Sequence, residues 1–273
     1  MRGCLYAGTL IFITIIYGIW FEPYAVGVHH IWIRDGYLGK ILGNKVVVQL
    51  SDLHILKIGK REQKVLRILS DLKPDIVFLT GDYVPWQGDY APAMQFLSLL
   101  RARIGIWAVM GDYDYSSPRK SCIFCHEEGT GKPTREHSVR FLKDSRDLLV
   151  LPEGQVSILG FDGEGGDLFS PRKTSLPQNG QATIIILSHN PLAFDSISDN
   201  RSSLMLAGDT HGGQIPLPAW LFHVMGYKKN ALYNQGLYER GRKKMFVSRG
   251  IGTSHLPIRL LRPPEVVVYH FQK

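Results

Sequence analysis

Five short apolar runs in this chain each end on an acidic or histidine-bearing turn, and that arrangement limits its possible folds more than any other feature. The turns are Asp52-Leu53-His54 after Val46–Leu50, Gly81-Asp82 after Ile76–Thr80, Gly111-Asp112-Tyr113-Asp114 after Ile106–Met110, Ser188-His189-Asn190 after Ile184–Leu187, and Gly208-Asp209-Thr210-His211-Gly212-Gly213-Gln214 after Leu204–Ala207. Each run is too short for a buried helix and passes into Gly or polar residues, so each reads as a β-strand handing over to a loop. Open sheets bind ligands at the carboxyl ends of their strands, so these ends predict one shared site. Oxygen and nitrogen donors of Asp and His suit Mn, Mg, Zn or Fe. A carboxylate shared by two ions would hold them roughly 3.5–4 Å apart, as two-metal phosphoryl transfer requires. Cys is missing from all five turns, which argues against structural zinc.

The order of the motifs resembles that of the calcineurin-like metallophosphoesterases, whose pattern runs D-x-H, G-D, G-N-H-D, a lone His, then G-H-x-H. The resemblance extends from about Lys45 to the C-terminus, and Tyr233-Asn234-Gln235-Gly236 with Ser248–Ser254 is similar to the membrane-associated bacterial branch. It implies an α/β protein built as a four-layered αββα sandwich, with two divalent ions at the strand ends. Carried over by position, Asp52, His54, Asp82 and His211 would hold the first ion. Asp82 would bridge, and His189 would hold the second ion with Asp112 and Asp209. Arg249 and His255 are candidates for binding substrate phosphate, with an exposed Arg and a structural His as the alternatives. Asn190 either belongs with His189 or caps a helix starting near Pro191.

Two of these positions depart from the pattern: Asp112 stands where the family has Asn, and Asp209 where it has the first His of G-H-x-H. The first change keeps an oxygen donor on a nearly isosteric side chain. The second shortens the side chain and exchanges nitrogen for oxygen. Two further carboxylates would cancel positive charge that the ions otherwise present to a phosphate oxygen. Two readings stay open, a harder second site suited to Mn or Mg and a site with impaired turnover. A third departure is Tyr113, where many relatives carry a His that protonates the leaving oxygen. An alkoxide leaving group needs that proton, whereas a phosphate, whose pKa is about 6, hardly does. Asp82, Asp112 and Tyr113 are therefore the residues expected closest to the chemistry, with a diphosphate as the favoured substrate.

With 273 residues, 44% of them hydrophobic, the chain can build one core of ordinary domain size. Cys4 to Phe21 is an uncharged stretch of 18 residues, at the lower limit for a membrane-spanning helix. Arg2 and the apolar run are also features of a signal peptide, but no convincing small-x-small cleavage site follows them. The expected division is a membrane anchor over 1–22, a linker over 23–44 and a catalytic domain over 45–273.

Net charge is +8, with basic clusters at Lys228-Lys229 and at Arg240, Arg242, Lys243 and Lys244. An anionic membrane surface is the favoured partner, because the apolar stretch Ile215–Met225 precedes the first cluster as in an interfacial segment. An ordinary buried loop under a solvated basic face is the alternative. Nucleic acid is disfavoured, since the basic residues lack regular aromatic interleaving. Cys122-x-x-Cys125 beside His126 lacks the second ligand pair of a zinc site and reads as part of an insertion with free thiols. Helical periodicity is expected over Gln63–Leu72, Ala93–Leu100 and Val139–Leu142, and further strands over Val156–Gly160 and Glu265–Phe271.

Together these features predict a membrane-anchored, two-metal phosphohydrolase in a bacterial inner membrane with its catalytic domain on the cytoplasmic side. The expected ions are two Mn(II), with Mg, Zn or Fe as alternatives. The expected substrate is a phosphorylated lipid or nucleotide sugar. The family resemblance implies an activity such as that of UDP-2,3-diacylglucosamine diphosphatases of lipid A synthesis. A general phosphodiesterase or phosphatase, and a membrane protein with an impaired metal site, are the competing readings.

Overall fold

In the computed structural model of the chain, which describes residues 2–86, 88–115, 124, 136–161, 183–197 and 202–273, the apolar runs divide between two six-stranded sheets. The first sheet holds, in spatial order, β1 (Gly27–Arg34), β12 (Glu265–Gln272), β2 (Val47–Leu50), β3 (Ile76–Thr80), β4 (Gly105–Val109) and β5 (Val139–Phe141). The second holds β10 (Gly236–Arg240), β11 (Lys243–Val247), β9 (Ser203–Ala207), β8 (Ile184–Ser188), β7 (Gly154–Phe161) and β6 (Ser145–Leu151). β2, β3 and β4 run parallel to one another, as do β7, β8 and β9, so the site-bearing turns emerge from strands of like direction within each sheet.

Strands buried on both faces explain why these runs are continuously apolar rather than alternating. One face of each sheet meets the other sheet: Val47, Ile76, Phe78 and Trp107 share a core cluster with Ile158, Ile185, Leu206 and Phe246. The outer face of the first sheet is covered by α3 (Lys60–Leu72) and α4 (Ala91–Leu99) through Val65, Leu69, Phe96 and Leu97. Among the described residues, the outer face of the second is covered by a short 3-10 turn, Pro191–Ser196, with Phe194 and Ile197, and by Tyr233. The α/β layering matches the expected architecture, and among the described residues the helical element packed on the second sheet is this turn.

Two expectations need correction. Val139–Leu142 is not helical: its first three residues form β5, because the edge of β4 offers backbone groups to pair with and the segment is too short to close helical turns. Residues 23–44 are not a linker. β1 pairs in register with β12 from Gly27–Glu265 to Arg34–Gln272, and α2 (Gly36–Leu42) inserts Leu38, Ile41 and Leu42 into the core between the sheets. Asp35 caps α2 through the N–H groups of Tyr37 and Leu38 at 3.0 and 2.8 Å. Cys122, Cys125 and His126 lie outside the described residues.

α1 (Arg2–Trp20) is a 19-residue helix, about 28 Å long at 1.5 Å per residue and long and apolar enough to cross a membrane. Leu10, Phe12 and Trp20 are exposed on it. Its C-terminal end is tied to the loop before β12: the Gly18 carbonyl accepts the Arg259 N–H at 2.9 Å. The buried Glu22 carboxylate accepts the N–H groups of Leu261, at 2.9 Å, and Arg262.

Gln49 fastens the two sheets at the end that carries the site. Its Nε2 donates to Thr80 Oγ1 at 2.9 Å and to the Ala207 carbonyl of the opposite sheet at 3.0 Å, while Tyr269 OH donates to its Oε1. A buried group stripped of its partner bears the desolvation cost, about 1–3 kcal/mol. Gln49→Leu is expected to lower unfolding free energy by about 2–3 kcal/mol, read from denaturant unfolding in detergent with an unaltered m-value. An unchanged midpoint would mean the groups it serves find other partners.

Candidate active site

The loops after β2, β3, β8 and β9 bring Asp52, His54, Asp82, His189, Asp209 and His211 to one place, all of them in or near tight turns. Asp52, His54, Asp82, Asp209 and His211 adopt left-handed backbone, with φ of 51°, 42°, 55°, 74° and 51°. Such conformations cost a non-glycine residue about 1–2 kcal/mol each and persist where surrounding contacts impose them. Here loops brace one another: Asp52 N–H reaches Gly81 O at 3.0 Å, His54 N–H reaches Asp82 O at 3.0 Å, and Gly208 N–H reaches His189 O at 3.1 Å. Two glycines permit the close approach. A Cβ on Gly111 would lie 2.2 Å from Asp82 Oδ1, and one on Gly208 would lie 2.0 Å from Ser51 Oγ.

The two central carboxylates each have one oxygen fixed and one left for a ligand. Asp82 Oδ1 accepts the Tyr113 N–H at 2.9 Å, and its Oδ2 stands 3.5 Å from His54 Nε2 and 3.4 Å from His189 Nε2. Asp52 Oδ1 accepts the Asp209 N–H at 2.9 Å and lies 3.6 Å from His211 Nε2. Backbone carbonyls orient two of the imidazoles: His189 Nδ1 donates to Thr80 O at 2.7 Å and His54 Nδ1 to Val84 O at 3.2 Å, leaving Nε2 of each facing the carboxylates. Two donor groups result, Asp52 with His54 and His211, and Asp52 with Asp82 and His189, each compact enough to hold one ion.

Burial and charge test whether cations belong there. Asp52 Oδ2 and His189 Nε2 are buried and have no hydrogen-bond partner. Burial pushes the Asp52 carboxyl up to about 7, with the charges of Asp82 and Asp209 adding to the rise against His189 and Ser51. Burial also pulls the His54 imidazole down to about 4 and takes His211 well below its ordinary value, so both are neutral donors at neutral pH. On His189 burial works downward too, but Asp82 outweighs it and, with Asp209 and Asp52, holds the imidazole well above its usual value. Unpaired donor atoms and surplus buried negative charge are compatible with a binuclear divalent metal site.

The remaining candidates separate clearly. Tyr113 stacks edge-on to His54 with ring centroids 4.9 Å apart, and its OH lies 3.4 Å from both ring nitrogens of His255. Burial, then Asp82, Asp209 and Asp112, push its phenol up to about 12, which keeps it protonated. Arg249 is committed elsewhere: Nε holds Glu265 Oε2 at 2.8 Å, Nη2 pairs with the same oxygen, and the backbone N–H binds Oε1. Its expected contact with substrate phosphate gains no support from this geometry. Asn190 Oδ1 accepts the Leu192 N–H at 2.9 Å, so its side chain caps the Pro191–Ser196 turn.

Three contributors were missed from sequence. The buried Asp114 carboxylate collects the N–H groups of Asp82, Tyr83, Val84 and Gly111 at 2.9, 2.8, 3.3 and 2.8 Å, and so shapes the loop that presents Asp82. Arg259 is fully buried and places its Nη2 3.4 Å from His211 Nδ1 while holding the carbonyls of Arg249, Gly252 and Arg262. Lys229, which sequence placed in a membrane-facing cluster, turns inward to Asp209 and to Asp112, the latter at 3.1 Å. Asp114 had a signal, the fourth position of the family's G-N-H-D; Arg259 and Lys229 had none, since each acts across a distant loop.

A cavity of about 510 Å³ opens over these groups. Asp82, Tyr113, Lys229 and His255 line its polar end; Leu217, Phe222, Met225, Leu256 and Ile258 line an apolar wall.

Ion binding must displace the protons that Asp52, near pH 7, and His189, above its ordinary value, otherwise retain. Affinity is therefore expected to fall as pH drops below about 7, about tenfold per pH unit for each proton displaced. Titration of metal-free protein with Mn(II) from pH 5.5 to 8.5 measures it, and a flat profile would remove both groups from ion binding.

Comparison with known proteins agrees with this geometry. Residues 45–213 match the calcineurin-like phosphoesterase family, a span that runs from just before β2 through the last site turn. The chain is 25% identical to the uncharacterized metallophosphoesterase YkuE of Bacillus subtilis, over 93% of this chain and 88% of that protein. It is 27% identical to the UDP-2,3-diacylglucosamine pyrophosphatase LpxG of Chlamydia trachomatis, over 81% of each. It is also 25% identical to phosphodiesterase YaeI of Escherichia coli, over 81% of this chain and 80% of that protein. With its buried Asp and His groups gathered at the strand ends, this chain belongs to the calcineurin-like phosphoesterase family and is a hydrolase.

Proposed function

We propose that the protein is a membrane-anchored hydrolase of a lipid-linked diphosphate, with UDP-2,3-diacylglucosamine as the fitting substrate and UMP as one product. The observation that carries this reading is the cavity itself, which joins the cluster of acids and imidazoles to an apolar wall at the end where α1 is tied down. Ile258 lines that wall, and the residue after it, Arg259, donates its N–H to the Gly18 carbonyl of α1 at 2.9 Å, so an acyl chain leaving the cavity meets the end of α1. Trp220, Val224 and Met225, on and just after α5 (Ala219–Val224), are exposed beside the same wall, as an interfacial segment requires. The LpxG relative supports the substrate class. A UDP-linked substrate places the catalytic domain on the cytoplasmic face of a bacterial inner membrane. In the β10–β11 hairpin, Arg240 is paired with Asp195 and Lys244 with Glu239, so these two add little to membrane attraction.

In this reading Asp52, His54, Asp82 and His211 hold one ion, and Asp82, His189, Asp112 and Asp209 hold the other, Mn(II) being the best match and Mg, Zn or Fe the alternatives. Bound, the ions would supply positive charge to the phosphoryl oxygens and lower the pKa of water. Asp82, fixed through Oδ1, keeps Oδ2 aimed between the imidazoles and so sets the spacing of the whole site. Tyr113, protonated across the working pH range, donates a hydrogen bond to substrate oxygen without passing its proton on. His255 steadies the phenol and faces the cavity. A site without an imidazole acid at position 113 suits a leaving group that departs as phosphate.

Release of UMP from UDP-diacylglucosamine in detergent micelles is expected with Mn(II), to vanish with chelation, and to fall at least a thousandfold in Asp82→Ala, roughly 4 kcal/mol of barrier. Faster cleavage of an aryl or alkyl phosphodiester than of this diphosphate would favour a general phosphodiesterase, the reading that the YaeI relative supports.

Loss of the exposed apolar side chains is a second test. Trp220→Ala with Met225→Ala is expected to raise KM for micellar substrate several-fold while leaving kcat within about twofold, because these residues bind equally before and during reaction.

A further inference from the structure

We propose that Lys229 is a tethered cation that competes with the second divalent ion for Asp112 and Asp209, so that the two ions load with unequal affinity. The inference rests on the two-ion reading above and concerns the order and strength of loading. The two positions where this chain departs from the family's Asn and His both carry carboxylates, and both carboxylates meet the same ammonium. Lys229 Nζ lies 3.1 Å from Asp112 Oδ2 and closer still to Asp209 Oδ2. Neutral Asn and His side chains would have no charge to draw a lysine there, so the three residues form a matched set of two negative charges and one positive.

The ammonium is held in place by more than its own charge. Lys229 sits on α6 (Lys228–Leu232), and that helix is latched to the loop bearing Asp209. Asn230 Nδ2 donates to the Thr210 carbonyl at 2.7 Å, and Thr210 Oγ1 donates to the Asn234 carbonyl at 2.6 Å. Of the three ammonium N–H groups, two face carboxylates that the second ion also needs. A covalently tethered ligand competes at high effective concentration, so a soluble divalent ion must displace it or share its partners. Where a binding-competent state is only a fraction of the population, apparent affinity falls by that fraction. Occupancy by Lys229 in about nine molecules of ten would weaken the second ion about tenfold. The first ion's donors, Asp52, His54, Asp82 and His211, form no ion pair or hydrogen bond with Lys229, whose partners are Asp112 and Asp209, and so escape this competition. Once displaced, the ammonium remains at the cavity lining, within the space a substrate phosphate would enter.

Titration of full-length, metal-free protein in detergent with Mn(II) tests this, read by calorimetry and by the electron paramagnetic resonance signal of a coupled Mn pair. Wild-type protein is expected to bind two ions whose affinities differ at least tenfold, and the pair signal to appear only at high Mn(II). Lys229→Met is expected to tighten the second ion at least tenfold, about 1.4 kcal/mol, and by more than the first. Lys244→Met, which removes the same charge from a lysine paired with Glu239, should leave the gap between the two ions intact. Lys229→Gln, uncharged but still a hydrogen-bond donor, is expected to narrow the gap as Met does and serves if the Met variant is unfolded by circular dichroism. Two ions of unchanged gap in folded Lys229 variants would overturn the proposal while leaving the two-ion site standing. Wild-type protein that binds no ion would overturn both.

Discussion

Several carboxylates are buried together at one edge of a dry core, and the rest of the site is organised around compensating them. Asp52, Asp82 and Asp114 are almost wholly inaccessible and lie within reach of one another's charge. Each is answered differently. Asp114 is surrounded by backbone N–H groups, Asp52 and Asp82 each have one oxygen fixed and one free, and Asp209 meets an ammonium. Burial still pushes Asp114 and Asp52 up to about 7, so backbone donors do not complete the compensation. What remains uncompensated is the attraction for divalent ions, and the strained backbone of five site residues shows how tightly the fold holds that geometry.

The same logic links the apolar N-terminal helix to the chemistry. Arg259 donates its backbone N–H to α1, at Gly18, while its buried guanidinium reaches toward His211 and the loop carbonyls around it. Burial brings its pKa down to about 9, which still leaves it charged at neutral pH. Glu22 fixes Leu261 and Arg262 of the same loop. The end of α1, the loop and His211 thus form one connected unit, and the apolar wall of the cavity lies beside it.

The motif chemistry was readable because it is local. A strand that ends on Asp-x-His or Gly-Asp delivers its side chains to a sheet edge whatever surrounds it, so Asp52, His54, Asp82, His189, Asp209 and His211 could be gathered from the order of turns alone. The helices over Lys60–Leu72 and Ala91–Leu99 were readable for the same reason, from their own periodicity. β5 was misread because three residues carry no period of their own and the partner strand decides their conformation. β1 was passed over because its pairing with β12 lies more than two hundred residues away, and its sequence, Gly27-Val28-His29-His30, looks polar at the start.

By itself the sequence determined the class of fold, the strand-end position of the acids and imidazoles, and the length of the apolar N-terminal segment. Each of these follows from neighbours a few residues apart. Only the tertiary structure showed which charge meets the carboxylates at positions 112 and 209, because their partner, Lys229, comes from a helix that folds back over the site. It likewise decided that Arg249 is spent on Glu265, that Asp114 orders the loop of Asp82, and that Gln49 joins the sheets. Charge compensation in a buried site acts through space at a few ångströms, and a linear chain does not record which distant residue will supply it.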